Sequence, residues 1–127
     1  PQNINTNSIV YTDTHNNNTE NGWWKNETSE EDRMRFKAYV GYDVQLKDAA
    51  GQMMLLALSS VAELAVIPMQ DILGLDETCR MNTPGKRDGN WVWRLTFEEF
   101  AMISAEGSSF VRQLREINIM YGRHKRI

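Results

Sequence analysis

Two rhythms of apolar and polar positions run along this chain. After an Asn-rich opening, Ser8-Ile9-Val10-Tyr11-Thr12 gathers β-branched and aromatic side chains, which predicts a short buried strand. The strand runs into Asp13-Thr14-His15-Asn16-Asn17-Asn18-Thr19, small polar residues that bond local backbone and favour a turn, with Gly22 closing the stretch. Ser29 followed by Glu30, Glu31 and Asp32 caps a helix whose apolar contacts are Met34, Phe36, Tyr39 and Val40, ended by Gly41. From Asp43, a plausible cap, to about Ser60 the apolar residues recur at helical spacing, and Ala62 to Met69 then reads as a second buried strand with Pro68 at its end. One helical turn is expected over Gln70 to Leu75. Thr83-Pro84-Gly85 and Asp88-Gly89 mark an ordered loop over Arg80 to Asn90, and helices over Thr96 to Ser104 and Ser108 to Tyr121 complete the chain.

Strand, helix, strand, helix is the rhythm of parallel βα units, so the fold class expected is α/β, mostly helical with two short parallel strands. Two parallel strands do not make a covered sheet, because such sheets are normally shielded on both faces. Length sharpens this point: 127 residues hold only part of a (β/α)8 barrel, which needs roughly 250. The opening on Pro1 instead of Met also suits a processed product, a fragment or an excised piece of a longer chain.

Charge and composition narrow the partners. A net charge of -3 offers no field for a phosphate backbone, which argues against nucleic acid, and Arg123-His124-Lys125-Arg126 reads as a solvated tail. Met53 to Met69, the richest apolar stretch, is broken by Ser59, Ser60 and Glu63, so no membrane span is expected. Cys79 is alone, which excludes an intramolecular disulfide and suits a reducing compartment such as the cytoplasm or a plastid.

Polar residues just after a barrel strand are where that architecture places chemistry. Thr14, His15 and Asn16 follow the first expected strand; Gln70 and Asp71 follow the second and are expected to anchor the loop there. Position alone leaves a plain alternative, in which Asn16 to Asn18 cap the next segment and His15 packs against Tyr11 or Trp23.

The wording of several segments goes further. Val10-Tyr11-Thr12-Asp13-Thr14-His15-Asn16-Asn17-Asn18-Thr19 with Gly22-Trp23 is similar to the signature Val-Tyr-Thr-Gly-Thr-His-Asp-Asn-Asp-Thr plus Gly-Trp of the 4-alpha-glucanotransferases. Ala57-Leu58-Ser59-Ser60-Val61-Ala62, Ile67-Pro68-Met69-Gln70-Asp71-Ile72-Leu73-Gly74-Leu75, Arg80-Met81-Asn82-Thr83-Pro84-Gly85 and Gly89-Asn90-Trp91-Val92-Trp93-Arg94 resemble that family's later blocks in the same order. The resemblance implies glycoside hydrolase family 77, with residues 1–127 as the C-terminal βα units of one (β/α)8 TIM barrel and no separate second domain.

It also implies an activity: transfer of alpha-1,4-glucan segments between maltooligosaccharides or starch chains, with retention of configuration and without metal or organic cofactor. Retention needs a carboxylate nucleophile and an acid/base carboxyl about 5 to 5.5 Å apart. In the family both come from earlier strands, so the remainder of the barrel is an expected partner. The family's third carboxylate, which steadies the transition state, falls at Asn16. His15 would donate to a hydroxyl of the reacting sugar, Asn82 would reach an acceptor-side sugar, and Trp23 would offer a stacking face. Trp91 and Trp93 are expected as packing residues, and Arg94 as the architectural partner of a carboxylate.

Three departures fall in one loop: Asp13 for Gly, Asn16 for Asp and Asn18 for Asp. Asn16 keeps the shape and loses the charge. A glucan-binding or interaction module without catalysis is therefore the alternative expectation.

Overall fold

A computed structural model describes residues 3–124, which form two compact units, one up to Trp93 and one from Arg94 on. In the first unit strand β1 (Ile9–Tyr11) lies parallel to β2 (Leu64–Val66), in the register Ile9 to Leu64, Val10 to Ala65 and Tyr11 to Val66. Between them run helices α1 (Glu20–Asn26), α2 (Glu30–Val40) and α3 (Leu46–Ser59). After β2 come the short helix α4 (Met69–Ile72) and a 3-10 turn at Glu77–Cys79. The second unit holds α5 (Phe97–Ser104) and α6 (Ser109–Met120).

Local chemistry accounts for most boundaries. Ser29 and Asp32 form a reciprocal capping box at the start of α2, and Gly41, at φ 90°, supplies the left-handed residue that ends it. Thr96 and Glu99 build the same box for α5. Helix α3 begins at Leu46 without a side-chain cap, so Asp43 does not serve as one; its carboxylate instead faces Lys37 at 3.9 Å. The second strand is shorter than expected because Pro68, which lacks a donor for the ladder, already stands at the N-cap of α4.

Two further corrections concern burial and a missed helix. Neither strand is buried: Ile9, Tyr11 and Leu64 are each about half exposed, because two strands alone leave their outer faces without cover. The stretch expected to end in a turn at Gly22 becomes α1, capped by Thr19, whose Oγ1 accepts from the Gly22 N–H at 3.1 Å. Seven residues are too few for apolar periodicity to announce a helix, and tertiary contacts hold it instead. Asn21 on this helix accepts from the Ala50 N–H of α3 at 3.1 Å and donates to the Gly74 carbonyl at 2.8 Å. The core beside it joins Trp24, Val44 and Ala49, with Trp23, Phe36 and Val40 packed around them. Trp24 meets Phe36 edge to face at 5.2 Å.

Candidate active site

The loop that leaves β1 carries Asp13 to Asn18 and is shaped by its own side chains. Asn17 Oδ1 accepts from the Thr14 N–H at 3.1 Å and from its hydroxyl at 2.6 Å, while Asn18 Oδ1 accepts from the Thr19 N–H at 3.0 Å. Asn18 also donates to Glu27 Oε1 at 2.8 Å, which pins the end of the loop to α1. Facing it is the loop from Arg80 to Trp91, closed on itself by Thr83 N–H to Asn90 Oδ1 at 2.8 Å and Trp91 N–H to the Met81 carbonyl at 2.7 Å.

The two loops meet at residues the sequence singled out. Asn82 Nδ2 donates to Asn16 Oδ1 at 2.7 Å across 66 positions of sequence. His15 lies against Trp91, ring centroids 5.0 Å apart and planes tilted by 39°, and not against Tyr11 or Trp23. Asp13, Thr14, His15, Arg80, Met81 and Trp91 are among the walls of a cavity of about 230 Å³. Trp23 is not among them: it packs on the core and lines a larger apolar cavity of about 510 Å³ together with Phe36 and Met53.

Two residues here were not assigned to the site from sequence. Trp91, expected as packing, is 52% exposed at φ 63° and presents its ring to His15. Arg80 gives its Nη2 donor to the Asn16 carbonyl at 2.7 Å and its Nε donor to the Asn82 carbonyl at 2.8 Å. The sequence held one signal, since Arg80 opens the block that contains Asn82, but no spacing rule carries a guanidinium back to residue 16.

Beneath the loop lies a cluster of carboxyls, with Glu20 and Asp71 buried and Asp13 half-buried. Asp71 is 2% exposed and accepts from the Glu20 N–H at 2.8 Å and from the Thr12 hydroxyl at 3.2 Å, so it ties the end of β1 to the start of α1. Gln70 beside it donates to the Cys79 carbonyl at 3.3 Å. Burial pushes the Asp13 carboxyl up to about 7, the charge on Asp71 and a hydrogen bond to it add to the shift, and Arg80 opposes it. Burial likewise pushes Glu20 up to about 8, with the charges of Asp71 and Asp13 adding. Asp71 is also raised by burial but keeps three hydrogen bonds that favour its charged form. Of the two aspartates, Asp13 is therefore the one that favours its protonated form, while the hydrogen bonds to Asp71 favour its charge. No group of His, Cys, Asp and Glu among the described residues has the arrangement to hold a metal. No described helix is long and apolar enough to cross a membrane.

Comparison with known proteins gives the family. A family model described as 4-alpha-glucanotransferase matches residues 1–99. The chain is 39% identical over 126 residues to the chloroplastic/amyloplastic 4-alpha-glucanotransferase of Arabidopsis thaliana, covering 97% of this chain and 20% of that protein. It is 49% identical over 90 residues to a 4-alpha-glucanotransferase of Synechocystis, covering 71% of this chain and 17% of the relative. Among solved structures, the amylomaltase from Streptococcus agalactiae in complex with acarbose superposes with a TM-score of 0.81 at 29% identity, over 98% of this chain and 24% of that one. The chain thus spans about a fifth of the length of the curated relatives it matches.

Proposed function

Because this chain belongs to the 4-alpha-glucanotransferase family, we propose that it supplies one wall of the active site of an enzyme that transfers alpha-1,4-glucan segments between maltooligosaccharides or starch chains. In this reading residues 1–127 are C-terminal βα units of a (β/α)8 barrel, and the remainder of the barrel provides the nucleophile and the acid/base carboxyl of a retaining mechanism. The half-exposed faces of β1 and β2 support it, since they are the surfaces that neighbouring strands would cover. The observation that carries the proposal is the contact of Asn16 with Asn82 at 2.7 Å beside His15. Three residues read as sugar-facing, drawn from two loops far apart in sequence, converge at one rim.

Asn16 stands where the family has its transition-state-stabilising aspartate, so the wall presents an amide where positive charge develops on the sugar. Nearby charge does not replace the lost carboxylate. Arg80 is a cation held against the Asn16 carbonyl, and Asp13 holds its proton up to about pH 7. A group that stabilises developing charge is typically worth roughly 3 to 4 kcal/mol, or on the order of a hundredfold to a thousandfold in rate. Asn82 Nδ2 would donate as well to a carboxylate as to the amide oxygen, so Asn16→Asp keeps the contact and restores the charge.

Disproportionation of maltotriose by the complete transferase is the test. The Asn16→Asp variant should be faster by on the order of a hundredfold or more, and equal rates would sink the reading of Asn16. The amide of Asn16 in place of a carboxylate also favours a second reading, a glucan-binding module without catalysis. Binding of maltoheptaose with no transfer, even after Asn16→Asp, would establish that reading instead.

A further inference from the structure

We propose that Arg80 is a positioning residue, which fixes Asn82 against Asn16 by holding the main-chain carbonyls of both. The inference deepens the reading of this site as one wall of a glucan transferase. The guanidinium spends two donors on two different loops: Nη2 on the Asn16 carbonyl at 2.7 Å and Nε on the Asn82 carbonyl at 2.8 Å. These carbonyls belong to the two residues whose side chains meet at 2.7 Å. One planar group therefore sets both ends of that contact, and the side-chain bond closes a small ring of interactions across the cavity rim.

Its geometry asks for arginine. The fork carries donors fixed in one plane, whereas an ammonium is a point charge on a flexible stem and does not hold two carbonyls of separate loops at set directions. The surroundings help the fork stay directed at them. Glu27, the carboxylate paired with it, lies 3.9 Å from Nη1 and is partly exposed, a weak pull on the far side of the group. Asp13, the other nearby acid, is engaged with Asp71. The Arg80 side chain is 21% exposed, so water competes little for its donors. Among the described residues, the hydrogen bonds that tie Asn16 to the opposite loop come from Arg80 and Asn82, while the bonds that shape its own loop run among Thr14, Asn17, Asn18 and Thr19.

The consequence is specific to the acceptor step. If Asn82 meets an acceptor sugar while Asn16 faces the reacting one, Arg80 sets the distance between the two sugar positions. Losing it should change how the glucosyl-enzyme partitions between an acceptor sugar and water more than it changes formation of that intermediate.

Two measurements test this. In the full 127-residue chain, the side-chain amide of Asn82, observed by NMR, should lose its slow exchange and its bonded chemical shift in Arg80→Lys, as it should in Asn16→Ala. An unchanged Asn82 amide, or loss of the whole fold in Arg80→Lys, overturns the proposal. In the complete transferase, Arg80→Lys should raise the ratio of hydrolysis to transfer and lower kcat/KM for the acceptor by between about tenfold and a hundredfold. Asn82→Ala should do the same, and the double variant should lose little more than either alone. Fully additive losses, or equal falls in hydrolysis and transfer, overturn it. If the complete protein transfers no glucan at all, the proposed function fails while the Asn82 amide still decides the role of Arg80.

Discussion

Replacing Gly22 with alanine separates the intrinsic behaviour of a helix from the packing of this one. In an exposed helix the change stabilises by about 1 kcal/mol, because glycine has more backbone freedom to lose on folding. Here a Cβ on Gly22 would stand 2.3 Å from Asn18 Oδ1, 2.8 Å from Asn18 Cγ and 2.9 Å from Glu77 Cβ. Asn18 has no free direction in which to withdraw, since it is buried and bonded to both the Thr19 N–H and Glu27. The Glu77 Cβ is fixed to its own backbone, and that side chain is held by Lys25 at 2.7 Å. Overpacking of this kind costs about 1 to 3 kcal/mol, and a displaced, unsatisfied Asn18 adds about 1 to 3. The net expectation for Gly22→Ala is a loss of about 1 to 5 kcal/mol, which lowers Tm by on the order of 5 to 20 °C in a chain of this size.

Gly51 provides the internal comparison. It lies inside α3, and a Cβ there meets nothing within 4 Å. Gly51→Ala should therefore gain about 0.5 to 1 kcal/mol. Thermal and urea denaturation of both variants, followed by far-UV circular dichroism, reads the difference in sign. A Gly22→Ala protein as stable as Gly51→Ala would refute the close approach of α1 to Asn18 and Glu77.

Other consequences follow from the buried polar groups. Asp13 and Glu20 have folded values of about 7 and about 8 against ordinary values of 3.8 and 4.5, so between these limits the folded state binds more protons than the unfolded one. Stability should be greatest below about pH 4 as far as this cluster is concerned and fall as pH rises toward 8, and Asp71→Asn should flatten that slope in urea titrations at several pH values. Asn21→Ala removes a side chain that bonds Ala50 N–H and the Gly74 carbonyl, both in partly or fully buried settings. A loss of about 2 to 4 kcal/mol is expected in the same denaturation assay, with the amide exchange of Ala50 accelerated.

Sequence by itself determined much of this protein. Composition and periodicity set the α/β class, the caps at Ser29 and Thr96, the stop at Gly41 and the turn loop after Arg80, because each depends on neighbours within a few residues. The quoted blocks also named Asn16, His15 and Asn82 as belonging together, and the structure brings these three to one rim. What tertiary structure decided is how they meet. Helix α1 exists because Asn21 and Gly22 find partners in α3, Gly74 and Glu77, none of which lies within the reach of local propensity. Trp91 faces His15, and Trp23 packs on the core, because the path of each backbone aims its ring, and sequence types alone do not. Arg80 reaches Asn16 across 64 positions because the loop after β1 and the loop after the 3-10 turn face each other in the fold. A hydrogen bond of that span has no signature in the chain, since its geometry is made only when the fold closes.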